Sequence, residues 1–499
     1  MLYTSTRDKS IKVESADAIA HGISEEGGLF IPVEIPKISK DDINELVGMD
    51  YIGRAKKILS LYLTDFSEDE IDYCVNGAYA KGKFSDEKIA PLHTLSDKAE
   101  ILELWKGPTC AFKDMALQLL PYLLTVAAKK SAPDKKIVIL VATSGDTGKA
   151  ALEGFKDVPG TKILVFYPED GVSPMQKLQM ITQEGENVAV CAIEGNFDDA
   201  QNGVKAIFTD KEVAKKLDGM GMMMFSSANS INWGRLVPQI VYYVSAYCDM
   251  LSKGKIKMGD EINVVVPTGN FGNILAAYYA KEMGVPIKKL ICASNSNDVL
   301  TEFLKTGVYN RVRDFYTTIS PSMDILISSN LERLLFLLSS MDDVKVNAWM
   351  KELKESGKYR VGDEVLSKIK AVFEAGCCND EKTKATIAEV FEEKKYLCDT
   401  HTAVAVAVYE DYIAQSGDST PTVIASTANP FKFSASVLDA VRPGMTEGMN
   451  EFDMVLGLHV ETGADCPPQL ANLKDKTPRF TGCCKKEDME KVVFDMLSK

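Results

Sequence analysis

Short apolar runs alternate with amphipathic stretches along this chain, and the alternation predicts most of a fold. Six runs read as buried strands: Ile137–Val141, Ile163–Phe166, Val188–Ala192, Ile262–Val266, Leu290–Ala293 and Thr422–Ala425. Most are followed by a turn and then a helical pattern. Strand, loop and helix in repeated alternation imply an α/β fold with parallel sheets covered by helices on both faces. In such sheets ligands bind outside the carboxyl ends of the strands, so chemistry is expected on the loops that follow them.

The first ninety or so residues follow another pattern. "SEEGGLFIP" (Ser24–Pro32) is a turn-rich entry, and an acidic helical stretch runs through Tyr79. Residues 1–92 therefore read as an N-terminal cap, with 93–499 as the remainder. Residues 309–395 are charged and mostly helical in pattern, with few strand signals. No fixed-period repeat and no low-complexity tract is present.

Composition narrows the function. The chain has 499 residues, 45% of them hydrophobic, enough for two or three domains. With 57 basic and 71 acidic residues the net charge is −14, and no basic cluster offers a nucleic-acid face. No run of about 18 uncharged apolar residues occurs, so no membrane span is expected. The N-terminus lacks the apolar core of a signal peptide. Eleven cysteines, an odd number, suit a reducing compartment, and a cytoplasmic location is expected. Cys377-Cys378 and Cys483-Cys484 are adjacent pairs, and Cys398 precedes His401 by three. Without paired C-x-x-C spacing they read as free thiols, and no metal is expected. A monomer or weak homo-oligomer is expected.

Four segments carry candidate chemistry. "ELWKGPTCAFKDMALQLL" (Glu103–Leu120) sets Lys113 at the start of a helical pattern, where the macrodipole disfavours a cation. "VVVPTGNFGNILAAYYAKEMG" (Val264–Gly284) turns from strand to helix through Gly269, Asn270, Phe271, Gly272 and Asn273. It reads either as a plain β-to-α turn or as a phosphate cradle of backbone amides. "VATSGDTGKAALEGF" (Val141–Phe155) fails the P-loop pattern, with Thr143 in place of the first glycine and Ala150 after the lysine. It also lacks the third glycine of the dinucleotide pattern. What remains is a hydroxyl-rich helix start suited to a carboxylate or phosphate, or simply to capping. "SSANSINWGRLVPQIVYY" (Ser226–Tyr243) puts Asn229 and Ser230 before a helix and Arg235 near its start. An arginine there grips a phosphate by two parallel hydrogen bonds or lies on a capped surface helix.

Together these segments resemble threonine synthase, of the second fold type of pyridoxal-phosphate enzymes, the tryptophan-synthase β-like group. The likeness rests on "GPTCAFKD", "TSGDTG", "PTGNFGN" and "ASTANPFKF" (Ala425–Phe433). It extends to "GGLFIP", "GNFDDAQ" (Gly195–Gln201) and "NSINWGRL". The length and the cap are similar to the bacterial and fungal branch. The resemblance implies two lobes, the smaller at approximately 130–245, with 309–395 as an elaboration of the larger.

It also implies roles. Lys113 would carry pyridoxal 5′-phosphate as a Schiff base and act as general base, its amine poised by burial or by the helix start. Gly269–Asn273 would cradle the cofactor phosphate, and Thr427 would face the pyridine nitrogen. Ser144, Gly145, Asp146 and Thr147 would hold the substrate carboxylate. Asn229, Ser230 and Arg235 would receive the substrate phosphate. The implied reaction converts O-phospho-L-homoserine and water to L-threonine and phosphate. A phospho-lyase giving a 2-keto acid and a non-catalytic binding protein are the alternatives. Asn429 stands where many relatives carry histidine, Thr400 where proline is expected, and Asp146 where many fold relatives have asparagine.

Overall fold

The computed structural model describes every residue except Ser144, Gly171 and Lys499. Two sheets organise the chain. The larger runs in the order Phe373–Cys377, Ile287–Ser294, Ile262–Pro267, Thr422–Ser426, Ala99–Glu103, Leu92–Thr94. All neighbours in it are parallel except the last pair, which is antiparallel. The smaller sheet is wholly parallel, in the order Cys483–Cys484, Val188–Ile193, Thr161–Pro168, Lys136–Ala142, Met223–Ser226.

Each of the six apolar runs lies within one of these strands. Four further parallel strands lacked an apolar run for physical reasons. Ala99–Glu103 is buried throughout yet carries two glutamates. Glu100 is paired with Lys253 and Lys255, and Glu103 with Lys106. One nearby and two distant lysines let a charged strand lie inside. Phe373–Cys377 contains a glutamate and a glycine, and it extends the larger sheet from within 309–395. That stretch is therefore not only helical, because it supplies a sheet edge. Met223–Ser226 and Cys483–Cys484 are too short to register as runs.

The smaller sheet draws on both ends of its half of the chain. Cys483–Cys484 pairs with Val188–Ile193, and helix Met489–Leu497 lies against strand Thr161–Pro168, its Val493, Phe494 and Leu497 in one apolar cluster with Leu164 and Phe166. The range 130–245 thus omits an edge strand and a covering helix.

In the N-terminal segment, Tyr3–Ser5 pairs antiparallel with Phe30–Pro32. Helices Lys40–Val47, Tyr51–Tyr62 and Glu68–Tyr79 follow, the first and third opened by capping boxes at Ser39 and Ser67. Tyr3 and Tyr62 pack their rings on Trp233, and Trp233 on Tyr279, at centroid distances of 5.4–5.7 Å. The segment thereby braces helices Trp233–Ser252 and Gly272–Met283 from behind. Among the described residues no helix is long and apolar enough to cross a membrane.

Candidate active site

Every predicted site loop follows the carboxyl end of a parallel strand. Three are adjacent in the larger sheet: Pro267 leads into the 269–273 loop, Ser426 into Thr427, and Glu103 into the segment bearing Lys113. Two are adjacent in the smaller sheet: Ala142 leads to Gly145, and Ser226 to Asn229–Arg235. The Lys113 and Thr427 loops are stitched together by an Ala111–Ala428 bridge and by Phe112 N–H donating to Thr427 O at 2.8 Å. Ser144 lies outside the described residues.

Lys113 is only 11% exposed along its side chain, with Nζ 3.8 Å from Asp146 Oδ2 and 3.5 Å from Ser322 Oγ. Burial lowers its pKa, since a charged amine loses hydration there. Asp146 opposes that shift, and Lys432 and Arg235 add to it. The helix after Lys113 is a single turn, Asp114–Leu117, so burial rather than the macrodipole is the principal cause.

Asp146 has less freedom than its sequence context suggests. Its carboxylate lies 2.8 Å from Lys432 Nζ and accepts from Gln176 Nε2 at 3.1 Å. Burial works to raise its pKa, but Lys432 and Lys113 outweigh that and hold the carboxyl well below its usual range. A committed anion cannot also bind a substrate carboxylate, so any such role falls to the backbone. The helix Asp146–Phe155 opens there without a side-chain cap on its first residue. Thr143 Oγ1 instead accepts from Gly145 N–H and Gly148 N–H at 3.0 and 2.9 Å. First-turn amides such as those of Asp146 and Thr147 have no partner within a helix.

Next to Lys113, Asp114 accepts from Thr109 N–H and Oγ1 at 2.8 and 2.7 Å, yet burial pushes its carboxyl up to about 6. A carboxyl whose folded pKa lies above its unfolded one stabilises the fold while protonated. That stabilisation is full below about pH 4 and is lost as pH rises through about 6. Asp114→Asn should remove this dependence. Denaturation at pH 4 and at pH 7 should show wild type losing up to about 3 kcal/mol against the variant. A difference that stays constant with pH would contradict the assignment.

The 269–273 loop is built for close approach. Phe271 is held at φ 64°, a left-handed conformation costing a non-glycine residue about 1 kcal/mol or more. A Cβ on Gly269 would lie 2.6 Å from Ser322 O. Helix Gly272–Met283 then starts without a side-chain cap. Asn273 Oδ1 accepts from the hydroxyls of Tyr242 and Tyr243, while its buried Nδ2 has no protein partner. Free helix-start amides beside an unpartnered amide nitrogen fit a phosphate. With a buried amine across the site, these residues match pyridoxal phosphate at both of its ends.

Arg235 is the third residue of helix Trp233–Ser252 and is 3% exposed. Nη1 donates to Ala228 O, but Nε has no partner. Among the described residues no carboxylate forms an ion pair with it, and burial lowers its pKa to about 10. Arg333 is an instructive contrast. It is equally buried, but its guanidinium is used up by Phe30 O, Asn330 Oδ1 and Ile231 O. The helix start ahead of Arg235 is taken by Asn232, whose Oδ1 accepts Gly234 N–H at 2.8 Å. An anion there would be met by the guanidinium rather than by helix amides. Asn330 Nδ2 donates to Ser230 O at 3.1 Å and Asn330 N–H to Asn270 O at 3.0 Å, joining this segment to the glycine loop.

The structure adds residues for which the sequence offered no signal. Lys432 is fully buried, donating to Thr109 O at 3.0 Å besides its pairing with Asp146. It stood in the quoted segment "ASTANPFKF" without an assigned role. Ser322 also reaches the site, from a segment without a recognisable motif, and His401, next to Thr400, supports it through the Ser322 amide. Asn429 caps the turn Pro430–Phe433 by accepting Phe431 N–H at 3.0 Å.

Known proteins resemble this chain over most of its length. Residues 91–427 match the model of the pyridoxal-phosphate dependent enzymes, the class that the fold and site define. Residues 2–79 match the threonine synthase N terminus, and 402–493 the threonine synthase C-terminal model. The chain belongs to the threonine synthase family. Threonine synthase of Saccharomyces cerevisiae is 38% identical over 468 residues, covering 88% of this chain and 89% of the relative. Threonine synthase-like 1 of Homo sapiens is 41% identical over 437 residues, 86% of this chain, and this chain spans 58% of its length. The crystal structure of PLP-bound threonine synthase from Brucella melitensis aligns with a TM-score of 0.88 at 35% identity, covering all of both chains.

Proposed function

We propose that this enzyme converts O-phospho-L-homoserine and water to L-threonine and phosphate. The observation that carries the reading is Arg235, a buried guanidinium with an unpartnered Nε and no ion-pairing carboxylate among the described residues. Leaving a buried cation uncompensated is costly, which points to a ligand that brings the missing anion. A second anionic group beyond an amino acid's carboxylate separates this substrate from those of serine and threonine dehydratases.

In this reading residues 1–92 are a cap bracing the catalytic region 93–499. Lys113 attaches pyridoxal phosphate, the amides and Asn273 of the 269–273 loop hold its phosphate, and Thr427 faces its ring nitrogen. The bound cofactor supplies a conjugated sink for electrons released at the substrate α-carbon. Lys113 Nζ, favoured in its neutral form by burial, accepts the α-proton. Amides at Asp146 and Thr147, with Ser144 and the turn at Gly145, hold the substrate carboxylate, while the Asp146 side chain stays on Lys432 and Gln176. Arg235, with Asn229 and Ser230, holds the phosphate and stabilises it as it leaves.

Thr427→Asp should alter the outcome more than the fold. A carboxylate beside the ring nitrogen favours its protonated form, which a hydroxyl does not. The absorbance of the loaded protein and its product ratios should both change. Identical spectra and products would remove Thr427 from the ring.

A second reading of the same site also uses the buried Arg235 to hold a substrate phosphate. In it the phosphate is lost and a 2-keto acid results. Assaying inorganic phosphate released from O-phospho-L-homoserine, with ammonia measured in parallel, tests the first reading. It predicts phosphate without ammonia. Equal amounts of both would favour the lyase, and ammonia from serine without phosphate dependence would contradict both.

A further inference from the structure

We propose that Asp399, His401 and Ser322 form a positioning relay for the Lys113 amine, with His401 held as its neutral Nδ1–H tautomer. Helix Thr400–Ser416 opens on Asp399, whose carboxylate accepts from Thr402 N–H at 2.9 Å, Thr402 Oγ1 at 2.6 Å and His401 N–H at 3.2 Å. The same carboxylate lies 3.2 Å from His401 Nδ1, nearer than Thr400 Oγ1 at 3.4 Å. On the far side of the ring, Nε2 is 3.1 Å from the backbone nitrogen of Ser322. An amide N–H only donates, so Nε2 is the bare acceptor and Nδ1 carries the proton that Asp399 accepts. Asp399 is fully buried and His401 is 2% exposed, so water does not compete for either ring nitrogen. Phe433 packs edge-on against the imidazole at 4.9 Å, tying it to the segment that carries Lys432.

Ser322 sits in the short turn Pro321–Met323, on a strap that lies across the site. The strap's outer edge is pinned by Asn295, whose Nδ2 donates to Thr318 Oγ1 and Asp324 Oδ1 at 2.8 and 2.7 Å, and by Asn297. Its inner edge is held by His401. The bond to His401 thus fixes two things together. It sets Ser322 Oγ 3.5 Å from Lys113 Nζ, and it holds Ser322 O 2.6 Å from where a Cβ on Gly269 would lie. A neutral imidazole achieves this without adding a cation to Lys113, Lys432 and Arg235. The relay therefore positions the lysine and the glycine loop relative to each other, and His401 itself touches neither.

This inference rests on Lys113 being the lysine that attaches the cofactor, and the test separates the two claims. The full-length protein is prepared free of cofactor, and long-range 15N–1H NMR reads the tautomer of His401, assigned by comparison with His401→Gln. Pyridoxal phosphate is then added, the attached lysine is trapped with borohydride over time, and its position is read by peptide mass. The relay predicts a neutral Nδ1–H tautomer at neutral pH. It predicts attachment at Lys113 slowed about ten- to hundredfold in His401→Leu, where a buried N–H loses its acceptor. His401→Gln, which keeps a neutral acceptor near the ε position, should recover part of the rate. Ser322→Ala, which removes Oγ and keeps the amide, should slow attachment about threefold with the tautomer unchanged. An Nε2–H or charged imidazole, or normal attachment rates at Lys113 in both Leu and Ala variants, would overturn the relay. If His401→Leu does not fold, the tautomer and Ser322→Ala decide the matter. Trapping on another lysine would instead refute the assignment of Lys113.

Discussion

Replacing Arg235 with alanine should raise KM for O-phospho-L-homoserine and lower kcat together, costing about 2–5 kcal/mol in kcat/KM. The size follows from burial. The guanidinium is buried with one bond to Ala228 O and, among the described residues, no ion-pairing carboxylate, so a phosphate arriving there supplies the missing countercharge. Its grip extends to the departing phosphate, and for that reason kcat should fall along with affinity. Arg235→Lys should recover only part of the loss, because an ammonium restores the charge without the two-pronged geometry. Inorganic phosphate should compete with substrate in wild type and weakly or not at all in the alanine variant. Normal turnover by Arg235→Ala would place the substrate phosphate elsewhere.

Lys113→Ala should abolish turnover while leaving the fold intact. One side chain serves two ends here, attachment of the cofactor and removal of the α-proton. Loss of a general base alone costs about 10²–10⁴-fold, and loss of the attachment point compounds it. Among the described residues the nearby lysines Lys432 and Lys149 are both already partnered. Lys432 is held on Asp146 and Thr109 O. Lys149, adjacent in "TSGDTGK", is bound to Glu153 at 3.0 Å and to Gln183. The variant should show wild-type near-ultraviolet circular dichroism and no borohydride-trappable attachment. Full activity would move the attachment site, with Lys149 the first to examine.

The parts of this fold that were legible in the sequence are those where local pattern and final environment agree. The apolar runs at 137–141, 163–166, 188–192, 262–266, 290–293 and 422–425 became central parallel strands because both faces of each are covered. Glycine turns following such strands marked the loop at 269–273 and the helix start at 145–148. Ala99–Glu103 was hidden because Glu100, inside it, is neutralised by Lys253 and Lys255, partners that no local window reveals. The same limit applies in the site. Lys432 lies far along the chain from Asp146, yet their contact decides that the Asp146 carboxylate is committed and that only its backbone can serve a ligand. Ser322 carries no motif, and His401 stood beside Thr400 without a role, because their proximity to Lys113 exists only once the turn Pro321–Met323 and helix Thr400–Ser416 are folded around it.

In the proposed reaction water adds to the β-carbon after phosphate leaves the γ-carbon. Incubating the loaded enzyme with O-phospho-L-homoserine in 18O-labelled water tests it most directly. Water entering at the β-carbon predicts L-threonine with 18O in its hydroxyl. Cleavage of the carbon–oxygen bond at the γ-carbon predicts an equal amount of phosphate with no label. Labelled phosphate with homoserine, or a 2-keto acid with ammonia in place of threonine, would contradict the account.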